Sequence, residues 1–536
     1  MVRLAVDSLS LTLAGRRLLE GVSFSVEPGE VLGLVGESGS GKSLTALSII
    51  GLTPAGAALS GSVRLDGVEL LGLDEAAMTA RRGRDIGLVF QEPMTALNPL
   101  MPIGEQVAES VRRHRGVSRA EARAVAAETL ARVGLAPDHV PPSRYPHALS
   151  GGQRQRAAIA IAVALAPKLI LADEPTTALD VTTQARIVRL LVRLAREDGA
   201  GLVLISHDLA LVAETADQVA VMQDGRIVER GAARSLFAGA SHPYARALAE
   251  AAEPRLRRPR PPSPDPPVLE APVLEARGLV RDYRMDGGWF RQPRVHRAVD
   301  QVSFTLSPGE SLGLVGESGS GKTSLARAIL GLDPGAVGEV RLSGQRFDQA
   351  RGAERRRLRR QIQAVFQDPA SSFDPRWRVG DIIAEPFALM ETPPEPAERR
   401  RRVAAMLEQV GLAPADAGRW PHQFSGGQRQ RIAIARALVI EPQVVVLDEA
   451  TSALDATVRA QVLALLEQLS RERGAAMLFI AHDLAVVRAV TDRVMVMQAG
   501  RIVEAGATER VFTAPQHPYT AELLAASPSL SRTLGR

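Results

Sequence analysis

Short apolar runs rich in β-branched residues recur along the chain, and longer segments with apolar positions at helical spacing separate them. Continuously apolar runs of this length are typical of strands buried on both faces, and their alternation with helices predicts an α/β fold with a largely parallel sheet. The runs that we interpret as strands are Val31–Val35, Ile86–Phe90, Leu169–Ala172, Leu202–Ser206, Gln218–Met222, Leu312–Val315, Ile362–Phe366, Val444–Leu447, Met477–Ala481 and Arg493–Met497. Two arginine-rich segments, Pro102–Ala136 and Val379–Leu412, predict a helical insertion in each half.

The sequence repeats itself. LGLVGESGSGK occupies Leu32–Lys42 and again Leu312–Lys322, and SGGQRQR begins at Ser150 and again at Ser425. Asp-Glu and His-Asp-Leu-Ala runs follow each SGGQRQR at matched distances. A repeat of about 250 residues is a tandem duplication of a whole domain, because solenoid repeats are far shorter.

The joint between the copies is rich in proline. Residues 254–272 contain RLRRPRPPSPDPPVLEAP, which is typical of an extended, semi-rigid linker. We therefore predict a first domain over residues 1–252, a linker over 253–272 and a second domain over 273–536.

Composition narrows the possible functions. The chain has 536 residues and no cysteine, which excludes disulfides, cysteine-ligated zinc, iron–sulfur clusters and cysteine nucleophiles. The longest apolar run, Ala157–Pro167, is too short to span a bilayer, and no signal-peptide pattern follows Met1. These features predict a cytoplasmic protein.

The net charge of +5 does not by itself indicate a nucleic-acid partner. Lysine occurs only at Lys42, Lys168 and Lys322, and arginines alternate with acidic residues along the chain, which is typical of solvated surfaces. We expect no nucleic acid. The densest basic runs, Arg355–Arg360 and Arg399–Arg402, are interpreted as solvated helix faces, with anionic lipid headgroups as the functional alternative.

A phosphate-binding loop occurs in both copies. The segment after the first strand fits G-x-x-x-x-G-K-[ST], in which glycines let backbone N–H groups surround phosphate oxygens and a helix N-terminus adds its dipole. Lysine in this motif reaches the β- and γ-phosphates, and the final hydroxyl is a Mg²⁺ ligand. The predicted nucleotide-binding residues are Gly36, Glu37, Ser38, Gly39, Ser40, Gly41, Lys42, Ser43, Gly316, Glu317, Ser318, Gly319, Ser320, Gly321, Lys322 and Thr323.

Two carboxylates end one apolar strand of each copy. Downstream of a phosphate-binding loop, we expect Asp173 and Asp448 to hold Mg²⁺ through its water shell, and Glu174 and Glu449 to polarise the attacking water.

With SGGQRQR added, the chain resembles the ATP-binding cassette (ABC) ATPases over almost its whole length outside the linker. The resemblance implies two tandem P-loop NTPase domains, each with a RecA-like α/β core, an antiparallel β subdomain and a helical subdomain. It also implies an intramolecular cassette dimer in which the phosphate-binding loop of one cassette faces the signature of the other.

This arrangement implies two composite ATP sites. One pairs Lys42, Asp173, Glu174 and His207 with the signature residues Ser425, Gly426 and Gly427. The other pairs Lys322, Asp448, Glu449 and His482 with Ser150, Gly151 and Gly152. The resemblance also makes His207 and His482 switch histidines that contact the γ-phosphate. It makes Gln91 and Gln367 the Q-loop glutamines that sense Mg²⁺, water and the membrane partner. Residues 178–180 and 453–455 match the D-loop.

The aromatic residue that stacks on adenine differs between the copies. Tyr283 lies where the family has its aromatic upstream of the phosphate-binding loop, whereas the first copy has Leu13 there. We therefore expect ring stacking in the second copy, with a core-strand role as the alternative for Tyr283.

Further motifs resemble the dipeptide, oligopeptide, nickel and glutathione importers. These are QEPMTALNP from Gln91, its looser copy from Gln367, and the His-Pro-Tyr runs at His242–Tyr244 and His517–Tyr519. The resemblance implies an ATPase in which both cassettes are fused in one chain. Some relatives carry a cysteine cluster for an iron–sulfur centre, which this chain lacks because it has no cysteine.

The implied function is ATP hydrolysis, with ATP and Mg²⁺ as cofactors, coupled to import of peptides or related solutes. The implied partners are two integral-membrane permease subunits and, indirectly, an extracytoplasmic solute-binding protein; the implied location is the cytoplasmic face of the inner membrane. The alternatives are a tandem ATPase of another importer class and a non-transport protein such as a translation factor, whose cassettes are usually joined by a long charged helical linker.

Overall fold

The computed structural model describes residues 3–90, 96–176, 180–252, 271–285, 294–367, 370–451, 454, 456–481 and 483–534. These residues form two units, Met1–Glu253 with Pro528–Arg536, and Pro254–Ser527. The second domain was expected to run to residue 536, whereas the structure groups Pro528–Arg536 with the first unit. Most of the predicted linker, residues 253–270, lies outside the described residues.

The first unit contains two sheets flanked by helices. Its strands are β1 Leu4–Leu13, β2 Arg16–Val26, β3 Val31–Val35, β4 Ala58–Leu65, β5 Val68–Glu69, β6 Ile86–Val89, β7 Leu169–Asp173, β8 Gly201–Ile205, β9 Gln218–Gln223 and β10 Arg226–Ala232. Its helices before the last segment are α1 Lys42–Ile49, α2 Glu75–Arg81, α3 Ile103–Arg115, α4 Arg119–Arg132, α5 Gly151–Val163, α6 Val181–Asp198, α7 Leu209–Thr215, α8 Ala233–Ala238 and α9 Pro243–Ala252. A 3₁₀ turn occupies Pro146–Ala148.

The second half repeats this order. Its strands are β11 Leu274–Met285, β12 Arg294–Leu306, β13 Ser311–Val315, β14 Ala336–Leu342, β15 Gln345–Arg346, β16 Ile362–Val365, β17 Val444–Asp448, β18 Ala476–Ile480, β19 Arg493–Gln498 and β20 Arg501–Ala507. Its helices, with the C-terminal one that belongs to the first unit, are α10 Lys322–Ile329, α11 Gly352–Gln361, α12 Val379–Ala384, α13 Pro396–Gln409, α14 Gly426–Leu438, α15 Ala456–Arg473, α16 Leu484–Val490, α17 Thr508–Thr513, α18 Pro518–Ala526 and α19 Leu530–Leu534. Short 3₁₀ turns lie at Ala370–Ser372, Glu385–Leu389, Pro414–Gly418 and Pro421–Gln423.

The predicted α/β fold with a mainly parallel sheet is confirmed. The large sheet of the first unit has the order β10-β9-β3-β8-β7-β6, and only β10 is antiparallel. The corresponding sheet of the second unit has the order β16-β17-β18-β13-β19-β20. Every residue of β3 and β8 is buried, which explains why these strands are continuously apolar.

A smaller antiparallel sheet accompanies each large one, with orders β2-β1-β4-β5 and β12-β11-β14-β15. In the first unit its apolar face packs with β3, β7 and α1 in one hydrophobic core. The predicted helical insertions correspond to α3 and α4 in the first unit, and to α12, α13 and a 3₁₀ turn in the second. Among the described residues, no helix has both the length and the hydrophobicity needed to cross a membrane.

Strand register sets the position of the candidate site. Ile205 of β8 is level with Leu34 of β3 on one side and with Asp173 of β7 on the other. The loops that follow these three strands therefore leave the sheet at the same edge. The second unit repeats the register, with Ile480 level with Leu314 and Asp448. The carboxyl edge of a parallel sheet is the usual ligand-binding position in α/β folds.

Candidate functional site

The phosphate-binding loop of the first unit joins β3 to α1 in a conformation that glycine permits. Gly36 has a φ of 151°, and a Cβ there would lie 2.2 Å from the carbonyl oxygen of Met222. Gly41 caps α1 with a φ of 103°. Both positions need glycine, one because the backbone of β9 is too close and the other because its φ is left-handed.

Lys42 folds back over its own loop. The side chain is buried, and its Nζ atom donates 2.8 Å hydrogen bonds to the carbonyl oxygens of Gly36 and Glu37. Lys322 makes the same two bonds to Gly316 and Glu317, also at 2.8 Å. The loop thus encloses a fixed ammonium group beside a helix N-terminus, an arrangement suited to phosphate.

The first hydroxyl of α1 contacts the acidic strand end. Ser43 Oγ donates a 2.9 Å hydrogen bond to Asp173 Oδ1, and Thr323 Oγ1 lies 3.4 Å from Asp448 Oδ1. Burial raises the pKa of Asp173 and raises that of Asp448 to about 6, and the neighbouring glutamates act in the same direction. A cation at this position would favour the ionised carboxylates.

These oxygen donors fit Mg²⁺, a hard cation that protein sites hold through one or two side chains while water and phosphate supply its other ligands. In the part of the chain that the structure describes, no cluster of three or more histidine or acidic side chains able to hold a metal occurs.

Glu174 follows β7 with a left-handed backbone. Its φ is 44°, and its N–H donates a 3.0 Å hydrogen bond to the carbonyl oxygen of Ile205. Its Oε2 atom lies 3.6 Å from Nδ1 of His207. Glu449 repeats the backbone geometry, with a φ of 49° and a 2.8 Å bond to Ile480. Non-glycine residues in this region are strained, and such strain is concentrated at functional sites.

The predicted signature residues begin a helix in each unit. Ser150 caps α5, its Oγ accepting from the Gln153 N–H at 3.3 Å while Gln153 Oε1 accepts from the Ser150 N–H at 3.0 Å. Ser425 caps α14 with the same two bonds to Gln428. A Cβ on Gly152 would lie 2.8 Å from Cγ2 of Thr183, so α6 leaves no room for a side chain there.

The remaining predicted residues have different outcomes. Gln367 is exposed just beyond β16. Gln91, His482 and the D-loop residues 178–179, 453 and 455 lie outside the described residues, although Asp180 caps α6. No contact described above tests their roles, which stay predictions.

Tyr283 lies near the loop of the second unit. Its hydroxyl donates a 3.1 Å hydrogen bond to Asp333 and is 3.3 Å from Ser324 Oγ, next to Thr323. The guanidinium of Arg281 covers one face of the ring, 4.1 Å from its centre. If the ring stacks on adenine as predicted, it must do so through its other face. Leu13 packs against the core of the first unit and offers no ring.

Sequence reasoning missed one pair of residues at the site. The hydroxyls of Tyr244 and Tyr519 accept hydrogen bonds from the backbone N–H groups of Glu37 and Glu317. The recurring His-Pro-Tyr motif was the available signal, but it was interpreted only as a subfamily mark.

Comparison with known proteins identifies the family of the chain. The ABC transporter family matches residues 19–177 and 299–452, and the oligopeptide/dipeptide transporter C-terminal region matches residues 503–535. The chain is 44% identical to the glutathione import ATP-binding protein GsiA of Escherichia coli K12, over 98% of this chain and 89% of the relative.

It is 46% identical to the protein of the same name from Salmonella paratyphi A, over 95% of this chain and 86% of the relative. A dimeric structure of the bacterial ABC transporter cassette MJ0796 is 27% identical, with a TM-score of 0.40, and covers 44% of this chain and 98% of its own.

Proposed function

This chain belongs to the ABC transporter family, and from that premise we propose that it is the ATPase subunit of an importer for glutathione, peptides or related small solutes. One arrangement, present in both units, supports ATP hydrolysis most directly. It consists of a lysine bonded to its own phosphate-binding loop, a hydroxyl paired with an aspartate, and a glutamate whose backbone is left-handed. The importer class is supported by relatives named as glutathione import ATP-binding proteins over almost the whole chain.

The chain's own residues divide the work of phosphoryl transfer. Lys42 and Lys322 exchange loop carbonyls for phosphate oxygens, which neutralises charge where it develops. Ser43 with Asp173, and Thr323 with Asp448, would hold Mg²⁺, which would supply positive charge to the phosphates when bound.

Glu174 accepts a proton from, or orients, the attacking water, and His207 holds the carboxylate and contacts the γ-phosphate. By the same resemblance, Glu449 and His482 do so at the second site.

We further propose that the signature of one cassette completes the nucleotide site of the other, as in the family. Ser150, Gly151 and Gly152 present the N-terminus of α5, where N–H groups are available for a γ-phosphate. The second signature offers the same groups at α14. ATP binding then favours the closed cassette pair and hydrolysis releases it, which is the differential binding that moves a coupled permease.

The proposed partners are two membrane permease subunits and, through them, a solute-binding protein. The ATPase would bind the permeases peripherally at the inner face of the membrane, with Gln91 and Gln367 close to the contact. The solute itself is selected by the partners rather than by this chain.

Reconstitution tests this proposal. The chain is co-expressed with two candidate permease subunits encoded near its gene, purified in lipid discs and assayed for ATP hydrolysis with a candidate solute-binding protein. Glutathione, dipeptides, oligopeptides and nickel are compared as ligands. Stimulation by one loaded binding protein supports the importer. Failure to bind the permeases, together with co-purification with ribosomes, would contradict it.

A further inference from the structure

The two His-Pro-Tyr motifs contact the two phosphate-binding loops in the same way. The hydroxyl of Tyr244 accepts a 3.0 Å hydrogen bond from the N–H of Glu37, 207 residues away along the chain. Tyr519 accepts the equivalent 2.9 Å bond from Glu317, 202 residues away. Because each unit makes the bond separately, it is a repeated feature of the fold.

The bonded N–H belongs to a peptide group that the loop lysine also holds. The peptide between Gly36 and Glu37 offers its N–H to Tyr244 and its carbonyl oxygen to Lys42 Nζ, at 3.0 Å and 2.8 Å. One group of the loop is therefore fixed from opposite ends. If the lysine turns to phosphate, as proposed above, the carbonyl end is released and only the bond to the tyrosine still holds this peptide group.

In the second unit, packing and hydrogen bonds hold Tyr519 in place. Tyr519 is only 8% exposed and belongs to a hydrophobic cluster with Val315, the last residue of β13 before the loop. Its own N–H donates to Nδ1 of His517 at 3.2 Å, and Glu504 accepts the N–H of His517 at 3.1 Å. The hydroxyl thus has little freedom to follow a moving loop.

The first unit builds the same support from β10. Glu229 accepts hydrogen bonds from the N–H groups of Ser241 and His242 at 2.8 Å and 3.0 Å, and His242 Nδ1 accepts from the N–H of Tyr244 at 3.2 Å. Burial opposes its ionisation, but hydrogen bonds from Ser241 and His242 lower the pKa of Glu229 below its usual value, so the carboxylate is charged at neutral pH. Pro243 begins α9 and fixes the turn before the tyrosine.

We propose that Tyr244 and Tyr519 are positioning residues, which hold the Gly36–Glu37 and Gly316–Glu317 peptides in the orientation that accepts ATP phosphates. The inference rests on the proposed nucleotide role of these loops. The tyrosines act through the loop peptides that they bond, by pre-organising the loop, which lowers the ordering cost of binding. Their loss therefore weakens ATP binding and leaves turnover at saturating ATP nearly unchanged.

The test compares the full-length chain with the double variant Y244F/Y519F, which keeps both rings and removes both acceptors. The dissociation constant of a fluorescent trinitrophenyl-ATP and the KM for ATP are expected to rise about two- to tenfold, the usual effect of one neutral hydrogen bond. kcat is expected to stay within about twofold. Mass-spectrometric hydrogen exchange at peptides covering Glu37 and Glu317 is expected to be several-fold faster.

Y145F is the matched control, because Tyr145 is 41% exposed and its ring stacks on His147. Wild-type affinity and exchange in Y244F/Y519F, with weakening only in Y244A/Y519A, would assign the tyrosines to ring packing and overturn the proposal. The variant K42A/K322A separates a failure of the tyrosine proposal from a failure of the proposed nucleotide role. If the wild-type chain binds ATP and K42A/K322A does not, an unchanged affinity in Y244F/Y519F refutes only the positioning role of the tyrosines. A wild-type chain that binds no ATP refutes the nucleotide role itself.

Discussion

The Nδ1 atom of His207 lies 3.6 Å from the Oε2 atom of Glu174. The two residues follow the neighbouring parallel strands β7 and β8, and the N–H of Glu174 is bonded to Ile205 at the end of β8. The left-handed backbone of Glu174 is held by this bond. A carboxylate fixed in this way, beside an imidazole, fits the general-base role that we propose for Glu174.

Replacing the two glutamates by glutamine should therefore stop the chemical step. We expect E174Q and E449Q each to lower turnover about 10²-fold at its own site, because the amide cannot accept a proton. Steady-state phosphate release should be intermediate in each single variant and nearly absent in E174Q/E449Q, with trinitrophenyl-ATP binding retained. E75Q is the control, since Glu75 is a 74% exposed partner of Arg82. A wild-type rate in one single variant and none in the other would contradict two active sites.

The three lysines provide their own comparison. K42A/K322A should lose ATP binding, because each ammonium is the buried cation enclosed by its loop. K168A should bind and hydrolyse ATP normally, since Lys168 makes a half-exposed ion pair with Asp66, and surface pairs contribute about 0–1 kcal/mol. Equilibrium binding of a fluorescent ATP analogue measures both. Equal losses in the two variants would show that the effect is not specific to the loops.

Removal of Mg²⁺ should abolish hydrolysis, because the paired hydroxyl and carboxylate oxygens offer a site for the metal that the triphosphate requires. In D173N/D448N we expect the Mg²⁺ concentration for half-maximal activity to rise at least about tenfold, since each amide lacks the negative charge. A Mg²⁺ titration of phosphate release checks this. An unchanged half-maximal concentration would place the metal elsewhere. D74N is the control, because Asp74 caps α2 and contacts neither loop.

The sequence predicted the parts of the fold that have a strong local signal. The buried parallel strands are continuously apolar, and Val31–Val35 was placed to the residue. The small antiparallel sheets have no such signal in the sequence. In β1, a register shift between Val6 and Leu9, where Ser8 has a φ of 50°, interrupts the alternation of apolar and polar residues that would identify a strand. That sheet was expected only from the family resemblance.

Contacts distant along the chain were equally beyond pattern reasoning. The loop residues and the Asp-Glu strand ends were recognised by motif, but the bond from Glu37 to Tyr244 depends on the register of β3, β9 and β10. The placement of residues 528–536 with the first unit depends on packing, because a short amphipathic segment carries no indication of which core it joins.

The asymmetry between Tyr283 and Leu13 predicts unequal nucleotide affinity. With Arg281 on one face, the ring has one face for adenine, and an aromatic pair contributes about 0.5–1.5 kcal/mol beyond burial. In a K42A background, which leaves the second site, Y283L should raise the dissociation constant for ATP about two- to tenfold. Y283F should have a smaller effect, since it removes the hydroxyl bond to Asp333 and keeps the ring. Equal affinity in all three chains would assign Tyr283 to the strand alone.

The C-terminal helix should stabilise the first unit. Leu530 of α19 is 3% exposed, and with Leu534 it lines a cavity of about 270 Å³ whose other walls include Phe237 of α8 and Ala249 of α9. L530A should cost about 2 kcal/mol, the lower end of the range for a buried leucine, because a side chain beside an existing cavity is less tightly packed. If α8 exchanges through unfolding of this unit, the loss of about 2 kcal/mol should accelerate hydrogen exchange in α8 about 30-fold. L100A, at an 86% exposed leucine, should leave it unchanged. Unaltered exchange in L530A would mean that α19 does not support this unit in solution.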